Sequence, residues 1–137
     1  MRSIIIAISI LAQAGCASVQ MPGYISRIDH PYERKINGSF EKVVSSTMYI
    51  LKTKGWKIDS EADPSIYERD DRYDNNGYQN LLIITSARKK YLYLTSTHLN
   101  VFIHSIGNTC NVEIRISARN DRMGKEILDA LEQEVHG

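Results

Sequence analysis

Two alternating stretches near the C-terminal end restrict the fold of this chain more than any other feature. In Thr97-His98-Leu99-Asn100-Val101-Phe102-Ile103-His104, the residues Leu99, Val101 and Ile103 fall on one side. In Asn111-Val112-Glu113-Ile114-Arg115-Ile116-Ser117, Val112, Ile114 and Ile116 share one side and Glu113 and Arg115 the other. Successive side chains of a strand point to opposite faces, so a clean period of two predicts strands with one buried face and one wet face. Gly107-Asn108 separates the two stretches and predicts an antiparallel hairpin.

Two other segments carry helical spacing. Phe40, Val43, Val44, Thr47, Met48 and Leu51 form a stripe over residues 40–54. Ser39 is a natural N-cap, since its hydroxyl can accept from the amides of the first turn. Glu41 suits the positive end of the helix dipole, and Gly55 marks the stop after Lys52 and Lys54. A second stripe, Met123, Ile127, Leu128, Leu131 and Val135, predicts a helix over 122–135, capped by Asn120 or Asp121. Between them, residues 56–59 alternate like a strand. Residues 81–86 form a short branched apolar run best read as another, and 91–101 continue the sheet. Residues 61–80 are polar and turn-rich, which predicts a loop or an irregular strand pair. The fold class that follows is α+β: a two-layer sandwich, an antiparallel sheet with two helices on one face, in the order helix, strands, helix.

The chain has 137 residues, room for one domain, and 17 basic against 16 acidic side chains. A balanced charge gives no clustered basic footprint of the kind nucleic acid requires, so no nucleic-acid partner is expected. The N-terminus narrows the setting. One positive charge at Arg2 precedes an apolar run, Ile4 to Ala12, too short for a membrane span and built like a secretory signal. Two cleavage sites compete. Ala12-Gln13-Ala14 fits an ordinary signal peptidase, which would leave Cys16 a plain thiol. Gln13-Ala14-Gly15-Cys16 resembles the bacterial lipobox, with Gln13 where leucine is usual, and makes Cys16 the lipid-attachment residue. Ala17 after that cysteine, in place of aspartate, then implies the outer membrane. On this reading residues 1–15 are the signal peptide, 16–38 a lipidated N-terminus and linker, and 39–137 the single domain.

Phe40-x-x-Val43-Val44, Leu51-x-x-x-Gly55-Trp56, Leu99-Asn100-Val101 and Val112-Glu113-Ile114 together resemble small bacterial lipoproteins with a helix-grip-like domain. They are also loosely similar to the domains of the lipoprotein C component of the β-barrel assembly machinery. The resemblance covers residues 40–135 and rests on packing motifs, so it implies a fold and an envelope setting without transferring any site residue.

No residue set identifies a reaction. His98 and His104 stand about 20 Å apart along a strand, too far for a shared metal. Cys110 opens a strand, away from the helix terminus or cation that lowers a thiol pKa. The acidic stretch Asp70, Asp71, Asp74 fails the spacing of a calcium loop, with Arg72 and Ile83 where carboxylates are required. No metal, cofactor or catalytic residue is therefore expected. The sequence is read as an outer-membrane, periplasm-facing, lipid-anchored lipoprotein, a non-enzymatic module with an envelope protein as partner. The alternatives are a small periplasmic enzyme using Cys110 or the acidic loop, and a carrier of an apolar ligand. The candidate partner surface is the wet face: His98, Asn100, Phe102, His104, Glu113 and Arg115. Phe102 is either its exposed anchor or is covered by residues 61–80.

Overall fold

A computed structural model of the chain describes residues 23–26, 32–64, 80–90, 95–117 and 121–137. Its elements are β1 (Tyr32–Asn37), α1 (Phe40–Thr53), β2 (Lys57–Ala62), β3 (Asn80–Lys90), β4 (Thr95–Ile106), β5 (Thr109–Ile116) and α2 (Asp121–His136). The strands form one five-stranded sheet in the order β1-β5-β4-β3-β2, with every neighbouring pair antiparallel. β2 to β5 run as a meander. β1 closes the far edge, and α1 carries the chain from that edge across to β2.

The helix boundaries follow local chemistry. The Ser39 hydroxyl accepts from the Lys42 amide at 3.3 Å, and Glu41 stands in the first turn of α1. At the other end Gly55 takes a φ of +83°, a conformation that costs a residue with a Cβ, and the Trp56 amide donates back to the Leu51 carbonyl at 2.9 Å. Both helices lay their apolar stripes on one sheet face. Val43, Ile50 and Leu51 of α1 and Ile127, Leu128, Leu131 and Val135 of α2 meet Leu99, Val101, Ile103, Val112, Ile114 and Ile116. Each of these branched side chains contributes about 1.5–3 kcal/mol on burial. The α+β sandwich with two helices on one face therefore stands, as does the hairpin, which turns through Gly107-Asn108.

Two expectations change. The stretch 16–38, read as linker, contains β1, which pairs along its whole length with β5 from Tyr32↔Ile114 to Asn37↔Thr109. The folded unit thus begins before residue 39, and a strand precedes the first helix. β1 is an edge strand whose inward positions are Tyr32, Arg34 and Ile36. The charged middle residue conceals the alternation, and it is tolerated because Arg34 Nη1 reaches Asp129 at 2.6 Å and Glu132 at 3.2 Å on α2. The second change concerns the face expected to be wet. Every residue from Leu99 to Ser105 is buried, so the sheet centre is covered on both sides. Residues 1–15, Cys16, residues 65–79 and the predicted strand start at 91–94 lie outside the described residues.

α2 crosses β1 closely at Gly124, where a Cβ would come within 2.6 Å of the Tyr32 ring. Gly124→Ala should gain helix propensity of about 1 kcal/mol but lose more to overpacking, for a net destabilisation of about 1–2 kcal/mol. Urea unfolding of the two proteins measures it; a variant more stable than the parent would show that Tyr32 yields freely.

Candidate functional site

The second sheet face holds a buried polar cluster on neighbouring positions of β4 and β5. Asn100 pairs across the ladder with Arg115, and Phe102 with Glu113. Asn100, Phe102, Glu113 and Arg115 have no exposed surface, and His104 has 2%. Arg115 and Glu113, two apart on one strand and so on one face, form an ion pair with Nε to Oε1 at 2.6 Å. The Arg115 guanidinium also lies over the Phe102 ring, 3.9 Å from its centroid, which adds a cation–π contact in a desolvated place.

This cluster grips the chain's own N-terminal segment. The Asn100 carboxamide accepts from the Ile25 amide at 2.6 Å and donates to the Gly23 carbonyl at 3.0 Å. Arg115 Nη1 donates to the Ile25 carbonyl at 2.9 Å. Three backbone groups of a three-residue stretch are thus satisfied by side chains of the sheet face. Tyr24, between the gripped residues, packs on Ile83 and Phe102 together with Ala62 of β2. The arrangement answers backbone groups on either side of a Tyr24 anchor, so chemically it is a holder for a short peptide segment that turns at Gly23.

The candidate partner surface is corrected accordingly. Asn100, Phe102, His104, Glu113 and Arg115 are interior groups; His98 alone of that set is partly exposed, beside Gly23. The cover over Phe102 seen among the described residues is Tyr24 and Ala62, so the loop expected over it contributes at least through the end of β2. Sequence reasoning missed residues 23–25 because a gripped segment needs no apolar period of its own. It also treated Glu113 and Arg115 as solvated, since a buried ion pair and a surface one share the same alternation.

Cys110 is buried, and its thiol donates to the Gly38 carbonyl at 3.6 Å. Burial, with the nearby Glu41 carboxylate adding to it, pushes its pKa from the ordinary 9.0 up to about 11. This is the opposite of what activates a nucleophile. Among the described residues no group of three or more His, Cys, Asp or Glu side chains could hold a metal. No protein-family model matches the chain, and none of the curated proteins compared with it matches either.

Two outcomes follow. Removing one partner of the buried pair, as in Glu113→Ala, should cost about 3–5 kcal/mol, because it strands the Arg115 charge. Glu113→Leu combined with Arg115→Met should cost less than the sum of the single changes in a urea-unfolding cycle. A fully additive cycle would mean the two charges do not depend on each other. The Cys110 thiol favours the folded state below pH 9, where both states hold the proton, and this contribution is lost as pH rises from 9 towards 11. In the native protein at pH 8 it should react with a disulfide reagent about a hundredfold slower than an exposed thiol, and at ordinary speed in denaturant. Rapid native labelling would contradict the burial.

Proposed function

We propose that this chain is an outer-membrane lipoprotein, anchored through acylated Cys16, whose domain faces the periplasm as a non-enzymatic interaction or accessory module. One observation carries the proposal: a basic residue and an apolar run of signal length end in Ala14-Gly15-Cys16. Two further features support it. The similarity to small lipoproteins with a helix-grip-like domain agrees with a sheet backed by two helices. In addition, among the described residues no helix is long and apolar enough to cross a membrane, so attachment by a helical span has no candidate there. Three acyl chains, as lipoproteins of this class carry, exceed what stable anchoring requires. The partner proposed for the module is another envelope protein.

The test is Cys16→Ser. The parent protein should fractionate with outer membrane and have a mass above that of its polypeptide by the acyl groups. The variant should leave that fraction and lose the added mass. A variant that stays in the fraction at the parent's mass would end the lipobox reading. Cleavage after Ala14 instead would leave two titratable thiols in denaturant, Cys16 and Cys110, where the lipidated form has one.

A further inference from the structure

The register of the sheet gathers one sign of charge at one end of the domain. β3 finishes Arg88-Lys89-Lys90 opposite the start of β4, with Arg88↔Thr97 and Lys90↔Thr95. β2 begins there with Lys57↔Ala87. α1 arrives at the same end through Lys52 and Lys54, and α2 departs from it with Arg122 and Lys125. Lys52, Lys57, Arg122 and Lys125 are exposed, and Lys54 and Arg88 partly so. Among the described side chains the carboxylates of this end are Asp59 and Glu126, and Glu126 is paired with Arg122 at 2.8 Å. The opposite end presents exposed Glu41, Glu61, Asp63 and Glu134, with Lys35 and Lys42 among them. A whole-chain balance near neutrality thus hides a domain polarised along its strands.

The basic end also has a shape. Lys54, Arg88 and Arg122 rim a cleft of about 280 Å³ with Trp56 and Glu126 in its lining. Arg88 is held there, 5.0 Å from the Trp56 ring centroid and with Nη1 at 3.5 Å from the Lys54 carbonyl. The first turn of α2 opens beside this cleft, and its free amide ends add to the positive field.

The gripped N-terminal segment limits how far the domain can stand from Cys16. Gly23 is fastened by Asn100 and lies against His98, one register step from Arg88. Six residues, 17–22, separate it from Cys16. Fully extended, that stretch reaches about 25 Å. The fastening residue, Asn100, stands halfway along β4, so the leash holds the whole domain near the bilayer and the charge of its two ends decides which one faces it.

We propose that the end bearing Lys54, Lys57, Arg88, Arg122 and Lys125 is a docking surface for the anionic phosphate headgroups of the membrane that holds Cys16. The proposal rests on the anchored reading above. Phosphate-rich lipid surfaces attract clustered Lys and Arg within a Debye length of about 8–10 Å, and a leash of about 25 Å lets these side chains come within that range. The residues joining β3 to β4, 91–94, are outside the described residues and are no part of this surface.

The test uses the intact chain extracted from membranes, its mass read first to establish acylation separately. The protein is placed in vesicles of phosphatidylcholine alone or with phosphatidylglycerol, and lysine acetylation is followed by mass spectrometry. Lys54, Lys57 and Lys125 should label several-fold more slowly with phosphatidylglycerol present, and recover in about 0.5 M salt, where screening is short-ranged. Lys35 and Lys42 should label alike in both. In Lys54→Glu/Lys57→Glu the protection of Lys125 should disappear. Equal labelling of Lys54 and Lys57 in the two lipids, or equal protection of Lys42, overturns the surface. If the mass shows no acyl group, the anchor reading falls by itself. The same chain then either floats with phosphatidylglycerol vesicles and not with phosphatidylcholine, which keeps the surface, or floats with neither, which removes it.

Discussion

A guanidinium withdrawn entirely from water costs several kcal/mol unless its charge and its donors are all answered nearby. Arg115 is in that position, and much of the molecule is arranged around it. Glu113, two residues away on the same strand, shares the face of Arg115 and places its carboxylate at contact distance. The Phe102 ring fills the space beneath the guanidinium plane. Nη1 donates to the Ile25 carbonyl. The N-terminal segment is therefore part of the electrostatic solution, since its backbone answers one of the Arg115 donors.

The two sheet faces are built on different physics. On the helix side the packing is apolar and depends on volume, from Leu51 and Val43 through the β4 and β5 valines and isoleucines to Leu131. On the other side a small apolar patch of Ile83 and Phe102 is surrounded by polar groups that bond to backbone. A core of the first kind tolerates substitutions that conserve volume. One of the second kind tolerates few, because each member answers a specific partner.

Local signals were legible in the sequence and tertiary ones were not. Ser39, Glu41 and Gly55 delimit α1 because capping is decided within a few residues. The strand faces of β4 and β5 were correct, since Leu99, Val101 and Ile103 do point to the helices. What covers the opposite face depended on residues about 75 to 90 positions away, such as Ile25 against Asn100 and Arg115, and no period encodes that. β1 escaped notice because Arg34 occupies an inward position that only Asp129 and Glu132 make acceptable. The proposed anchoring motif, Ala14-Gly15-Cys16, is linear and is read from sequence alone.

The pairing of β1 with β5 has a consequence for the order of events along the chain. Ile36 meets Cys110, and Ile25 meets Arg115, so both closures wait for the last strand. β2 to β5 can assemble as neighbours, while β1 has no strand to pair with until β5 is present. Contacts so distant in sequence form late, because the intervening loop must first be closed. On the export route proposed above the chain would cross a membrane as an open thread, and Ile25 and β1, early among the described residues to pass, would be the last locked in place.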